Sequence, residues 1–153
     1  IRDGRALALT YMNPAEFADA VTPDLRDGGT GGNREKERLP MAQAAHQWKR
    51  SSEAAENILR RLDKSRWTEI RYEQLCSDTE NTLAELFVFL GLNPHQRNRD
   101  FRSVENHVIG NGMRLDNTSL VKLDERWKSV LTKEQLQDFD QVAGALNVKY
   151  GYK

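Results

Sequence analysis

IRDGRALALT, at residues 1–10, is the stretch that says most about how this chain folds. It is typical of a strand that ends near Arg2 and leads into a helix that opens near Gly4. The unpaired N–H groups of a helix start favour an anion, and Arg2 would lie beside them. Helical side chains tilt toward the helix N-terminus, so Thr10 leans back toward the same spot. The stretch therefore predicts a phosphate pocket formed by Arg2, the Thr10 hydroxyl and the helix start.

The composition limits what kind of protein this is. The chain has 153 residues, with 23 Lys and Arg against 23 Asp and Glu, and a net charge of zero. A protein that neutralises many phosphates usually carries a basic surplus, so a nucleic-acid partner is disfavoured. No apolar run is long enough to span a bilayer, and no membrane contact is expected from this segment. One cysteine excludes an internal disulfide, and the scattered histidines do not have metal-ligand spacing.

The first third of the chain predicts helices separated by a loop. We expect a helix over residues 4–12 and a short one over 14–20, where Pro14 suits the first helical position. Residues 22–40 combine four glycines, two prolines and dense charge, which predicts a flexible loop. From Met41 onward, apolar residues recur at three- and four-residue steps, which predicts a long amphipathic helix.

The remainder predicts one strand and two capped helices. WTEIRY, at 67–72, has the β-branched and aromatic content of a short strand. Asp78 or Thr79 would cap a helix that ends at Gly91, and Thr132 would cap the last helix. Helices separated by short apolar strands indicate an α/β layered fold. Since only two strands are visible, we expect the rest of a parallel sheet to lie upstream.

Several short elements resemble, in order, sulfotransferases that use 3′-phosphoadenosine 5′-phosphosulfate (PAPS). IRDGRALALT resembles the family's RDPRAxxxS, and RYEQL (71–75) resembles its RYEDL. TLAELFVFLGL (82–92) is similar to the helix that follows. HVIGNGMR (107–114) resembles the family's GNPMR, and DERWK (124–128) resembles a segment just beyond it. The final YGY resembles the usual family terminus. The ordered set covers nearly the whole chain.

The resemblance implies a P-loop-like three-layer parallel-sheet fold that is mostly helical in this chain. Residues 1–153 would be the C-terminal portion of a single sulfotransferase domain, with a flexible loop at 22–40 that is either a plain insertion or a lid. The family's Gly-rich loop for the 5′-phosphosulfate and its usual catalytic base precede these elements, so no catalytic residue is assigned. The implied activity is in-line transfer of a sulfuryl group from PAPS, as co-substrate and without a metal, to a hydroxyl or amine.

The resemblance also implies a donor site on this chain. Arg2, Thr10 and Arg114 would bind the 3′-phosphate, since a guanidinium donates paired hydrogen bonds to phosphate oxygens. Gly112 and Met113 would belong to a backbone nest beside Arg114. Tyr72 would offer its aromatic face to the adenine.

Three positions depart from the family pattern, one of them Thr10 where serine is commoner, and ordinary structural roles remain open. Gly4 and Gly112 each replace a proline, so both loops should be less preorganised. Arg2 and Arg114 are alternatively surface arginines, and Tyr72 an ordinary half-buried aromatic. The alternative function is a non-catalytic nucleotide-binding or protein-interaction domain that retains the fold. The acceptor, a small molecule or a carbohydrate, and the compartment, cytoplasm or Golgi lumen, stay open.

Overall fold

The computed structural model describes residues 1–13, 38–96, 100 and 121–153. Its α-helices are α1 (Gly4–Met12), α2 (Met41–Leu59), α3 (Tyr72–Ser77), α4 (Thr79–Phe89), α5 (Trp127–Val130), α6 (Lys133–Phe139) and α7 (Ala145–Lys149). Short 3₁₀ helices occupy Lys64–Arg66 and Pro94–Gln96, and a π-helical turn over Asp140–Gly144 joins α6 to α7. The predictions for residues 14–20, 22–37 and 107–114 lie outside the described residues.

Helix α1 confirms the helix predicted over 4–12. The Asp3 side chain caps it by accepting a hydrogen bond from the amide of Arg5. Its buried face consists of small residues and one leucine, namely Gly4, Ala6, Ala8 and Leu9. These small side chains let α1 pack closely against α2, which offers Ala44 and Ala45 at the contact.

Gly4 has a packing role that the sequence did not predict. A Cβ at this position would lie 2.6 Å from the Phe139 ring and 2.8 Å from the Trp48 ring. Such distances are well inside van der Waals contact, so only glycine fits here without movement of its neighbours. The expectation that Gly4 loosens this turn is wrong, because the residue is buried between two aromatic rings.

The core is organised around Trp48 of α2. Its ring lies 5.7 Å from that of Phe139, which is fully buried, and meets Tyr150 edge-on at 6.0 Å. Aromatic rings in these arrangements add to the free energy of burial. The chain after α5 therefore packs across α2 as one unit, composed of α6, the π turn and α7.

The two predicted capped helices are confirmed. Asp78 caps α4, and Gly91 follows it with a positive φ of 69°. Thr132 caps α6 with a capping box, in which Gln135 bonds back to the Thr132 amide. The π turn within the last helical segment was not predicted.

The predicted sheet is represented by one strand-like pair. No residue in the described ranges is assigned to a strand, and Tyr72, predicted to end a strand, instead begins α3. However, the Ile1 nitrogen donates to the Ile70 carbonyl at 2.6 Å, and the Ile1 carbonyl accepts from the Tyr72 amide at 2.8 Å. This is the bond pattern of parallel strands, with Ile1 opposite Arg71. It brings residue 2 beside residue 72.

The second half of α2 faces an apolar groove. Ala55 and Leu59 line it together with Ile70 of the extended segment. The groove has a volume of about 610 Å³. None of the described helices combines the length and apolarity that crossing a membrane requires.

Candidate functional site

Two of the predicted site residues, Arg2 and Tyr72, are in direct contact. The Arg2 guanidinium carbon lies 4.2 Å from the centre of the Tyr72 ring. A guanidinium over an aromatic face is attracted by the ring's quadrupole and held in a defined plane. The contact follows from the pairing of Ile1 with the chain around Arg71, which brings the two segments side by side.

The Arg2 guanidinium already holds an anion, the carboxylate of Asp124. Its terminal nitrogen donates to the Asp124 Oδ2 at 3.1 Å and to the Asp124 carbonyl at 3.1 Å. Arg126 grips the same carboxylate from the other side, with Nε 2.8 Å from Oδ1 and a terminal nitrogen 2.9 Å from Oδ2. Arg126 first, and then Arg2, holds the pKa of Asp124 well below its usual range. The carboxylate is therefore ionised at neutral pH and bridges two arginines.

The Tyr72 hydroxyl fixes the segment that carries Asp124. It donates to the Lys122 carbonyl at 3.1 Å and accepts from the Asp124 amide at 3.0 Å. Burial is the main cause that raises the pKa of Tyr72, so the phenol stays protonated. One residue thus positions both the guanidinium above its ring and the carboxylate that pairs with it.

The amides at the start of α1 are taken by protein oxygens. The Asp3 amide donates to Glu73 at 3.1 Å, the Gly4 amide to Asn147 at 2.9 Å, and the Arg5 amide to Asp3 at 3.0 Å. The acceptors, two carboxylates and one amide oxygen, all belong to the chain itself. An incoming phosphate would therefore depend on side chains and not on these amides.

Thr10 lies farther along α1, where its hydroxyl donates to the Ala6 carbonyl of its own helix at 3.3 Å. Its side chain is partly exposed. The two predicted phosphate ligands thus have different partners: the Arg2 guanidinium bonds to Asp124, and the Thr10 hydroxyl bonds to Ala6. The other predicted site residues, Gly112, Met113 and Arg114, lie outside the described residues.

A small cleft of about 230 Å³ adjoins this cluster. Asp124, Arg5 and Trp127 line it, with the Arg5 guanidinium 4.1 Å from the Trp127 ring. The larger groove against α2 contains neither Arg2, Thr10 nor Tyr72. Among the described residues, no group of histidine, cysteine and acidic side chains is arranged to hold a metal ion.

The sequence matches the Sulfotransferase family over residues 17–96, which is more than half of the chain. The chain belongs to the sulfotransferase family. The matched region includes α2, the extended segment, Tyr72 and α4. No curated protein and no solved structure shows significant similarity to the chain. Membership supports a transferase of the sulfotransferase type, and it agrees with the resemblance drawn from RYEQL and the helix after it.

Sequence reasoning on this sulfotransferase missed Asp124 and Arg126 as members of the cluster. Both lie in DERWK, which was noted only for its resemblance. The available signal was the spacing, since an aspartate two residues before an arginine can accept from that residue's amide in a turn. The structure has this bond, from the Arg126 amide to the Asp124 Oδ1 at 3.2 Å.

Proposed function

We propose that this chain provides the 3′-phosphate and adenine side of the donor site in a PAPS-dependent sulfotransferase. The observation that carries the proposal is the Arg2 guanidinium, which is stacked on Tyr72 and already bound to a carboxylate. A guanidinium that holds a carboxylate in this way presents the donors that a phosphate takes. The extra 3′-phosphate is what distinguishes PAPS from ATP, so a dedicated arginine serves that distinction.

The described residues are compatible with such a nucleotide. Within the part of the chain that the structure describes, the Arg2 Nε is a buried nitrogen without a hydrogen-bond partner. Leaving a buried donor on a charged group unpaired is costly, and a bound anion would remove that cost. PAPS itself would supply the activated sulfuryl group, whose bond to the phosphate breaks as it passes to the acceptor.

The other proposed residues complete the site from the sequence pattern. Thr10 would turn its hydroxyl from the Ala6 carbonyl toward the 3′-phosphate, giving up only a long bond of 3.3 Å. The segment that resembles GNPMR would also bind the phosphate, through Gly112, Met113 and Arg114. Tyr72 would offer the adenine the ring face that Arg2 does not cover. The acceptor would be a hydroxyl or amine of a small molecule or carbohydrate.

Calorimetric titration of the chain with 3′-phosphoadenosine 5′-phosphate and with 5′-AMP tests the proposal. We expect the 3′-phosphorylated nucleotide to bind more tightly, and Arg2→Ala to abolish that preference because the charged donor is removed. Arg61→Ala is the matched control, since it removes the same charge from an exposed position beyond α2.

Equal affinity for both nucleotides, or a preference that survives Arg2→Ala, would contradict the proposed site. Transfer of labelled sulfuryl from PAPS to a hydroxyl acceptor is the second measurement. Selective binding without transfer to any acceptor would instead favour the non-catalytic nucleotide-binding domain.

A further inference from the structure

The Asp124 carboxylate is coordinated as a bound anion would be. Its Oδ1 accepts from the amide and the Nε of Arg126, and its Oδ2 accepts from Arg126 and from Arg2. These four N–H donors all lie within 3.2 Å of the two oxygens. The side chain is 19% exposed, so the ion pair with Arg2 is partly shielded from solvent.

Arg2 cannot hold this carboxylate and a phosphate in the same way at once. One of its terminal nitrogens donates both to the Asp124 carboxylate and to the Asp124 carbonyl. A phosphate on Arg2 would bring a second negative group against Asp124, and like charges in a partly buried site repel. A phosphate that takes the Arg2 terminal nitrogen bonded to Asp124 therefore displaces the carboxylate from it.

Hydrogen bonds that do not involve Arg2 hold the segment around Asp124 in this position. The Tyr72 hydroxyl holds its backbone through two hydrogen bonds, and Arg126 holds its side chain through a bidentate pair. Neither interaction involves Arg2. The pair with Arg2 can thus open while the Asp124 side chain keeps its bonds to Arg126 and its backbone keeps its bond to Tyr72.

We propose that Asp124 is an internal competitor for the phosphate site, which closes Arg2 until a phosphate displaces it. This inference rests on the proposed function only for the identity of the phosphate. The binding free energy of a ligand that needs Arg2 includes the free energy of opening the Arg2–Asp124 pair. That of a ligand without a 3′-phosphate does not. If the closed state holds about nine-tenths of the molecules, removing it tightens binding about tenfold.

Asp124→Asn is the test, because it removes the charge and keeps the size. Titrated with 3′-phosphoadenosine 5′-phosphate, this variant should bind about tenfold more tightly than wild type, with 5′-AMP affinity changed by less than about twofold. Asp138→Asn makes the same chemical change on the exposed face of α6 and should have no effect. Unchanged or weaker binding by Asp124→Asn would overturn the inference.

Inorganic phosphate gives a readout that does not depend on the nucleotide. It should raise the thermal midpoint of Asp124→Asn more than that of wild type, because the variant leaves Arg2 open. Adding Arg2→Gln to that variant should abolish the difference. If neither wild type nor any variant binds the nucleotide, the proposed function fails. The phosphate effect would still support Asp124 as an internal competitor. The absence of a phosphate effect in Asp124→Asn would then overturn the competitor as well.

Discussion

The backbone amide of Gly4 donates a 2.9 Å hydrogen bond to the side-chain oxygen of Asn147, 143 positions away in the chain. The Asn147 nitrogen donates in turn to the Asp3 Oδ1 at 3.3 Å, and the Asn147 residue is only 3% exposed. One buried side chain therefore joins the first turn of α1 to α7. Proline, which is usual at position 4 in the resemblance, has no N–H to give. Glycine here serves both this bond and the contact with Trp48.

Gly4→Ala should destabilise the chain, because the new methyl group would lie 2.6 Å from the Phe139 ring and 2.8 Å from the Trp48 ring. Overpacking of this kind typically costs about 1–3 kcal/mol in the free energy of unfolding. Urea unfolding of wild type and variant measures the loss. In a Phe139→Leu background the same substitution should cost less, because one of the two rings is gone. An equal cost in both backgrounds would show that the contact with Phe139 is not the cause.

Asn147→Asp should destabilise the chain in a way that depends on pH. The substitution places a second carboxylate against the buried Asp3. At neutral pH this should lower the free energy of unfolding by about 3 kcal/mol. Repulsion raises the pKa of one member of the pair in the folded state, so the deficit grows as the pH rises and shrinks as it falls toward about pH 4. Urea unfolding at several pH values, relative to wild type, checks this sign.

Asn147→Leu is the control for that experiment, since it loses the donor to Asp3, as Asn147→Asp does, without adding charge; it also loses the acceptor for the Gly4 amide. Its deficit relative to wild type should not change over the same pH range. If Asn147→Asp also gave a constant deficit, electrostatic repulsion with Asp3 would be ruled out as the cause.

The sequence predicted those parts of the fold that local chemistry determines. Asp78 and Thr132 each cap a helix as expected, because a cap depends on the amides of the next few residues. The apolar spacing after Met41 likewise predicted α2, whose first half is buried as expected. Trp67 and Arg71 are extended, but the helix that begins at Tyr72 was missed.

The rest depends on contacts between distant residues, which a single sequence does not reveal. Arg2 meets Asp124 across 122 positions, and Gly4 is required by rings in two other helices. Residue type and spacing singled out Arg2 and Tyr72 as members of a site. They did not indicate that a carboxylate of the same chain, that of Asp124, would be bound to the Arg2 guanidinium.

Asp124→Asn should lower stability at neutral pH, by about 1 kcal/mol, because one partner, Arg126, is half exposed. The pKa of Asp124 is lowered in the folded state, so its contribution is present above the ordinary value of 3.8 and is lost as the pH falls through the folded value. The deficit of the variant should therefore shrink below about pH 4. Urea unfolding from neutral to acid pH checks this, and a deficit that persists unchanged in acid would contradict it.

Tyr72→Phe should separate the role of the ring from that of the hydroxyl. The variant keeps the surface beneath Arg2 and loses the bonds to Lys122 and Asp124, so stability should fall by about 1 kcal/mol. The preference for the 3′-phosphorylated nucleotide should remain, whereas Tyr72→Leu should weaken it. Calorimetric titration and urea unfolding of both variants give the two readouts. Loss of the preference in Tyr72→Phe would assign the effect to the hydroxyl instead.

Thr10→Val tests whether the Thr10 hydroxyl belongs to the phosphate site. The side chains have nearly the same shape, and the bond lost to the Ala6 carbonyl is long at 3.3 Å, so stability should change by less than about 0.5 kcal/mol. Affinity for 3′-phosphoadenosine 5′-phosphate should fall about tenfold, as expected for a lost bond to a charged group, while 5′-AMP binding is unaffected. Thr10→Ser keeps the hydroxyl and should retain wild-type affinity. If Thr10→Val binds the 3′-phosphorylated nucleotide as wild type does, the phosphate rests on arginine side chains without help from α1.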